Sequence, residues 1–285
     1  MVGERLLDIG PEVFYKEPCI PFCLLGFCMN SNHQNSNIKQ RLDRVGLALN
    51  PKGWVKELLF RLAGGPRFHQ CLQHPEMIAS FPGGVTTSDI SEHLNTLFFF
   101  AMDVKPRLIV ELGTRGGEST RVFLAAALSG ARVLSVDLDD CSGLELPHRE
   151  RWNFVKADDI EFGLHGFAKW CAAASLKPEI DLLFIDTSHL YDHTKQEIQT
   201  WSPFLSSTGA MIFHDTNMGL GVYGRLDRSV DRYGWNNQRG VIRAVEEFLG
   251  TTYDERRFFT DVAKGYLVAH YPHSSGLTVL KKTGG

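Results

Sequence analysis

The sequence is organised around a glycine-rich turn at residues 110–120, which read Val-Glu-Leu-Gly-Thr-Arg-Gly-Gly-Glu-Ser-Thr. An apolar run, Leu108 to Leu112, leads into the turn, and residues 122–128 follow it with a helical pattern. Strand, tight turn and helix in this order are typical of a nucleotide-type site at the carboxyl end of a strand. Glycine lets the backbone come close to a ligand, and the amides at the start of the helix point at it. The turn therefore predicts a small-ligand site in an α/β protein.

The spacing inside this turn favours S-adenosylmethionine (SAM) over a dinucleotide. It reads Glu-x-Gly-x-x-x-Gly, whereas dinucleotide sites read Gly-x-Gly-x-x-Gly. A carboxylate at the strand tip repels a pyrophosphate but suits the cationic amine of SAM, whose own carboxylate suits a helix amino end. We expect five residues to bind this cofactor: Glu111, Gly113, Thr114, Gly117 and Ser119. A strand–helix turn without a ligand is the alternative for the motif alone.

Strand and helix patterns alternate after residue 106. We expect strands at 107–112, 131–137, 153–156, 181–186 and 210–214, helices ending near 129 and at 162–174, 191–205 and 240–249, and a β-rich tail from 258 to 281. This alternation predicts a parallel, doubly wound sheet with a terminal β-hairpin. We assign residues 86–285 to this core and residues 1–85 to a helical extension, with helices near 38–49 and 53–62. The extension is a candidate for covering the substrate or for contacts in a homo-oligomer.

Composition excludes several classes of protein. The net charge of −3, without a basic block, argues against a nucleic-acid partner. The apolar run from Ile20 to Met29 is too short to span a membrane, and the acidic residues before it do not fit a signal peptide, so we predict a cytoplasmic protein. Cys19, Cys23 and Cys28 are spaced C-x3-C-x4-C, near a radical-SAM cluster motif but with the wrong last gap. We interpret these three cysteines, together with Cys141 and Cys171, as reduced thiols.

Acidic residues follow the second and third predicted strands, at the edge where a doubly wound sheet binds its ligands. Asp137 ends the second strand, and its carboxylate suits both hydroxyls of a ribose. Asp158 and Asp159 follow the third strand, where an aspartate suits the amino group of adenine. Each acid alone is also consistent with a solvated loop, but their order along the chain matches the adenosine end of SAM.

A second set of polar residues follows the fourth and fifth strands. Asp186 ends the fourth strand, and His214 and Asp215 end the fifth. Neighbouring parallel strands lie about 4.8 Å apart, so these side chains can converge on a divalent cation that keeps open positions for substrate oxygens. His189 lies three residues after Asp186, where it suits a general base near neutral pH. Alternatively, Asp186 caps the next helix, and His214 and Asp215 form a charge-satisfied pair.

These segments together resemble the class I SAM-dependent O-methyltransferases, over residues 106–285. The branch most similar modifies sugars and other small molecules in natural-product pathways, as the macrolide sugar O-methyltransferases do. The cephalosporin-pathway methyltransferase and its relatives are similar to a lesser degree. The segments that carry the resemblance are 111–117, 135–137, 184–189, 214–216 and 240–248. The resemblance implies a Rossmann-like, mostly parallel seven-stranded sheet. It also implies a small hydroxylated substrate, Mg²⁺ at Asp186 and Asp215, and His189 as the base. His214 departs from the Glu of the sugar enzymes, and a His favours a softer ion.

The segment 217–239 follows the predicted metal ligands directly. At about 23 residues it exceeds the usual loop length, and long loops are often lids or binding loops. We expect it to close over the substrate, with three contact residues: Tyr223, Trp235 and Arg239. A surface insert without a role is the alternative. For the whole chain, the alternatives to O-methylation are metal-free, SAM-dependent N-methylation and SAM binding without catalysis.

Overall fold

The structure is a computed structural model that describes residues 72, 74–85, 88, 90–217 and 239–284. Several predictions concern residues outside these ranges. They are the helices near 38–49 and 53–62, the cysteines at 19, 23 and 28, and the substrate contacts Tyr223 and Trp235. The two described cysteines, Cys141 and Cys171, are buried free thiols, as predicted.

An eight-stranded sheet forms the centre of the described residues, with the order β3-β2-β1-β4-β5-β8-β7-β6. The strands are β1 Leu108–Leu112, β2 Arg132–Asp137, β3 Trp152–Lys156, β4 Ile180–Ile185, β5 Leu205–His214, β6 Phe259–Ala263, β7 Tyr266–Tyr271 and β8 Leu277–Lys282. The predicted count of seven is wrong, because the tail forms three antiparallel strands rather than a hairpin. Strands β1 to β5 are parallel, so their carboxyl ends share one edge.

Helices cover both faces of the sheet, which confirms the doubly wound architecture. The helices are α1 Pro75–Ser80, α2 Leu94–Val104, α3 Glu118–Ala126, α4 Asp159–His165, α5 Phe167–Ala173, α6 Tyr191–Trp201 and α7 Gly240–Leu249, with short 3-10 turns at 91–93, 149–151 and 202–204. The side chains of alternate strand residues pack into two cores, one on each face of the sheet. Ile109 packs in the core with α1, α2 and α3, whereas Val110 packs in the core with α5, α6 and α7.

The last strand in the chain lies inside the sheet. Strand β8 runs antiparallel between β5 and β7, and it pairs Val279 with Ile212 and Leu277 with His214. The strand that carries His214 is therefore hydrogen-bonded on both sides, since β4 pairs with its other edge. This pairing fixes the carboxyl end of β5 against β4.

Three element boundaries differ from the predictions. The helix predicted at 162–174 is two helices separated at Gly166. Helix α6 ends at Trp201, because Pro203 follows, and β5 begins at Leu205 rather than at residue 210.

Part of the predicted extension, Met77 in α1, packs into the same core as α2 and α3, and the domain boundary after residue 85 stays a prediction. None of the described helices is long and apolar enough to cross a membrane.

Candidate active site

The glycine turn brings the ends of three strands together. Gly113 has a positive φ of 86°, and a Cβ atom there would lie 2.0 Å from the Asp186 carbonyl oxygen. The Gly113 amide donates to Val136 at 2.9 Å, and the Asp186 amide donates to Leu112 at 2.9 Å. Only glycine satisfies both the backbone angle and this close approach. The turn therefore sets the predicted cofactor loop directly against the end of β4.

Glu111 lies beneath the turn and is completely buried. Its carboxylate accepts three hydroxyl hydrogen bonds, from Ser119 Oγ at 2.6 Å, Thr120 Oγ1 at 2.7 Å and Ser135 Oγ at 2.5 Å. Burial disfavours the charged form and raises the pKa of Glu111 to about 7, although the hydroxyls oppose the shift. Glu111 and Ser119 bind each other below the surface and hold α3 against β1, and their predicted cofactor contacts stay predictions.

Asp137 binds the backbone of the turn. Its Oδ2 accepts from the Thr114 amide at 2.7 Å and from the Arg115 amide at 3.1 Å, while Oδ1 accepts from the Asp139 amide at 2.9 Å. The residue is half-buried at the carboxyl edge of the sheet. Since a carboxylate has about four acceptor positions, Asp137 retains capacity for a ribose hydroxyl. Its predicted role, like those of Gly113, Thr114 and Gly117, stays a prediction.

Asp158 and Asp159 have different surroundings. Asp158 caps α4, since its Oδ1 accepts from the Glu161 amide at 3.0 Å, and its predicted contact with adenine stays a prediction. Asp159 is buried, and its Oδ1 lies 3.2 Å from His193 Nε2 on α6. The side chain of Asp159 turns inward towards α6, and its predicted contact with adenine stays a prediction. His193 is half-buried in this contact.

Four polar side chains converge at the ends of β4 and β5, as predicted. His189 Nε2 lies 3.1 Å from Asp186 Oδ1 and 2.9 Å from Asp215 Oδ2. His214 Nδ1 lies 3.2 Å from each of the same two oxygens. Donor atoms of Asp186, His189 and Asp215 all lie within 4.8 Å of one another. Asp186 does not cap α6, whose first turn has no side-chain cap, so that alternative is wrong.

The backbone at this cluster adopts an unusual conformation twice. His189 has a φ of 61° and Asp215 a φ of 55°, both in the left-handed region that non-glycine residues seldom occupy. Each such residue costs about 1–3 kcal/mol and is held in place by its surroundings. Conformations of this kind concentrate at functional sites, so their presence at both turns that bring His189 and Asp215 together supports a functional assignment.

The cluster is nearly closed to solvent. The side chains of His214 and Asp215 are 1% and 2% exposed, and those of His189 and Asp186 are 13% and 18% exposed. Burial opposes protonation of His189, but the charge of Asp215 and hydrogen bonds to both carboxylates outweigh burial and raise its pKa to about 10. The same two carboxylates raise the pKa of His214, and both histidines hold the pKa of Asp215 well below its usual range. Positive charge is thus strongly favoured between these carboxylates.

His93 is a residue of this region that sequence reasoning missed. Its ring packs edge-on against the ring of His214, with centroids 5.6 Å apart, and its Nε2 lies 3.0 Å from the His273 carbonyl oxygen. Burial and the neighbouring charge of His214 lower the pKa of His93 to about 3, so the ring is neutral. Since 121 positions separate the two rings in sequence, only the fold shows their contact.

Arg239 does not reach the cluster. Its guanidinium donates to Glu246 at 2.8 and 3.0 Å, to Glu255 at 2.6 Å and to the Tyr253 carbonyl oxygen at 3.1 Å. These bonds anchor the start of α7 and occupy most of the donors of Arg239. These bonds favour a structural role for Arg239, and its predicted substrate contact stays a prediction.

Comparison with known proteins gives a family for the part of the chain that holds this site. Residues 110–216 match the family model described as a methyltransferase domain. An uncharacterised protein of Sinorhizobium fredii, y4gI, is 31% identical over 147 residues, which are 42% of this chain and 14% of that protein. The matched segment is thus a small part of this curated relative.

Two solved structures are similar over most of the chain. A putative caffeoyl-CoA O-methyltransferase from Staphylococcus aureus is 15% identical, with 80% of this chain and 98% of that chain covered and a TM-score of 0.48. The MycE methyltransferase of the mycinamycin biosynthetic pathway, solved with Mg, SAH and mycinamycin VI, is 17% identical, with 71% and 57% covered and a TM-score of 0.43. The family match itself begins in β1 and ends just after β5, so it contains the glycine turn and all four residues of the cluster. Residues 110–216 of this chain are therefore similar to a methyltransferase domain.

Proposed function

We propose that the chain transfers a methyl group from SAM to a hydroxyl oxygen of a small molecule, such as a sugar or another natural-product intermediate. The observation that carries this proposal is the convergence of Asp186, His189 and Asp215 beside the glycine turn of a methyltransferase domain. A buried group of two carboxylates and an imidazole has no evident purpose in a protein that only binds SAM. Its contact with the cofactor turn supports a reaction at that edge of the sheet.

SAM is the proposed donor, bound at the turn by Gly113, Thr114 and Gly117. Asp137 would accept hydrogen bonds from the ribose, and Asp158 lies at the next strand end, on the adenosine side. Because the turn at Gly113 lies directly against the Asp186 backbone, a cofactor bound at this turn would be next to the cluster. Holding donor and acceptor in line removes much of the barrier to a bimolecular transfer. The chain's main task is this alignment, since the methyl group is already activated by the cofactor.

The donor set fits a divalent cation. Asp186 and Asp215 would hold it, with the ring of His214, whose Nδ1 is 3.2 Å from both carboxylates, as a third group within reach. Two carboxylates suit Mg²⁺, whereas participation of His214 favours a softer ion such as Mn²⁺. Bound there, the ion would act as a Lewis acid towards the substrate oxygen.

His189 is the proposed general base, and its surroundings set a condition on that role. Between two bare carboxylates its pKa is about 10, so the ring is protonated at neutral pH and cannot accept a proton. A dication on the carboxylates neutralises the charges that cause this shift. The base function of His189 and the cation therefore depend on each other. General base catalysis by such a residue typically contributes about 10²–10⁴ in rate.

The test is methyl transfer to two panels of acceptors. One panel contains hydroxylated sugars and natural-product intermediates, and the other contains amines. SAM binding is measured by calorimetry in parallel. We expect turnover that chelator abolishes and Mg²⁺ or Mn²⁺ restores, and loss of that turnover in Asp215→Asn with SAM binding retained. Asp192→Asn, an exposed carboxylate on α6, is the matched control and should behave as the wild type. SAM binding with metal-independent turnover on amines would replace the proposal with N-methylation. SAM binding with no turnover on either panel would leave a non-catalytic binder.

A further inference from the structure

A second group of titratable side chains lies away from the cluster at β4 and β5. We propose that Asp159, His193 and Glu197 form a separate divalent-cation site that joins α4 to α6. One donor atom from each lies within 4.8 Å of the other two. Asp159 lies in the first turn of α4, and the other two residues are one turn apart on α6. This proposal uses neither SAM nor methyl transfer.

The bonding of the two carboxylates is incomplete. Glu197 is 0% exposed; its Oε1 accepts from Thr187 Oγ1 at 2.6 Å and lies 3.6 Å from His193 Nε2. Asp159 is 6% exposed and uses one oxygen, at 3.2 Å from the same ring nitrogen. The other oxygen of each carboxylate is buried, and no N–H group or hydroxyl of the described residues donates to it. Buried carboxylate oxygens without such donors are costly, so their placement around one imidazole indicates a positively charged ligand.

The chemistry of the group selects the ion. Two carboxylate oxygens and one imidazole nitrogen suit Zn²⁺ or Mn²⁺, and three protein ligands leave a position open for water. The side chain of His193 is 26% exposed, so the ion has a path from solvent. A dication with a neutral imidazole also balances the two negative charges.

The packing of the two helices makes the site rigid. A Cβ atom at Gly163 of α4 would lie 2.5 Å from Thr200 and 2.9 Å from Trp201 of α6. Only glycine permits this approach, which places the first turn of α4 beside the middle of α6. The ligands thus stand on two helices in direct contact rather than on loops, as a preformed site requires.

The experiment isolates this site from the first one. In an Asp186→Asn/Asp215→Asn background, treated with chelator, Co²⁺ binding is measured by equilibrium dialysis and by visible absorption. We expect one Co²⁺ per chain, and Zn²⁺ should raise the midpoint temperature of unfolding. Adding Asp159→Asn should weaken Co²⁺ binding at least about tenfold and remove the Zn²⁺ shift.

Asp192→Asn is the matched control, because it removes the same charge from an exposed side chain directly before His193 on α6. It should bind Co²⁺ as the background does. If Asp159→Asn does not fold, His193→Gln at the half-buried position carries the same expectation. Absence of saturable Co²⁺ binding in the folded background, or equal binding in the two aspartate variants, would overturn the proposal and leave the cluster held by shared protons.

Discussion

The buried carboxylate of Glu111 makes the stability of the fold depend on pH. Its pKa is about 7, against an ordinary value of 4.5, because burial outweighs the three hydroxyl hydrogen bonds. Between these values the folded protein holds a proton that the unfolded chain has released. The free energy of unfolding should therefore fall by about 1.4 kcal/mol for each pH unit as the pH rises from 4.5 to 7. Below 4.5 this contribution is complete, and above 7 it has been lost.

Glu111→Gln removes that titration while keeping the shape of the side chain. The interval from 4.5 to about 7 corresponds to about 3 kcal/mol. We expect the free energy of unfolding of the variant, minus that of the wild type, to rise by roughly this amount between about pH 4.5 and pH 8. Urea unfolding followed by tryptophan fluorescence at several pH values measures the difference.

Glu145→Gln is the control for this experiment, because the Glu145 side chain is exposed. The free energy of unfolding of Glu145→Gln, minus that of the wild type, should stay constant over the same pH range. A flat difference for Glu111→Gln would show that Glu111 does not change its charge in this window. Burial of Glu111 would then not outweigh its three hydroxyl hydrogen bonds. A difference that falls as the pH rises would also contradict the prediction, because it would mean that the fold stabilises the ionised form of Glu111.

Three further predictions follow from the turn and the network at α7. Gly113→Ala should destabilise the fold by about 3 kcal/mol or more, because the added Cβ meets the Asp186 carbonyl oxygen. Gly143→Ala, in open space, is the control. Equal unfolding midpoints for the two variants would contradict the packing described. Asp137→Asn should weaken SAM binding about tenfold in calorimetry, because a charge-assisted hydrogen bond is lost. Asp139→Asn, at an exposed position, is the control. An unchanged affinity of Asp137→Asn for SAM would refute the ribose assignment. Arg239→Met should lower the free energy of unfolding by about 2 kcal/mol, because the buried Glu246 loses its partner, and it should leave SAM affinity unchanged. Loss of substrate binding without loss of stability would instead support the substrate role of Arg239.

The sequence was sufficient for the order of elements and for the cluster at β4 and β5. Apolar runs that alternate with helical patterns place strands and helices, and adjacent parallel strands then bring their ends together. Asp186 and Asp215 could be predicted as neighbours because each follows directly on one of these strands. The position of His189, three residues after Asp186, put it within reach of the same point.

What the sequence could not give was the direction of individual side chains. Glu111 and Asp159 are polar residues next to strand ends, as ligand-binding residues are, yet both turn into the protein. The hydroxyls that surround Glu111 come from α3 and β2, and the partners of Asp159 come from α6. Such contacts depend on helix phase and on packing between distant segments, which periodicity does not report. His93 was missed for the same reason.

The position of β8 has a consequence for the order of events during synthesis. A chain made from its amino end exposes residues 110–216 long before residues 277–282 exist. Until then, one side of β5 is an open sheet edge, available to pair with another nascent chain. Because β8 pairs Leu277 with His214, the cluster at the end of β5 acquires its final strand neighbour only when the chain has grown from residue 214 to residue 277, which is 63 residues later. Chaperone demand should therefore be greatest in this interval, and ribosome-bound intermediates stalled before residue 277 should aggregate more readily than those stalled after residue 282 has left the exit tunnel.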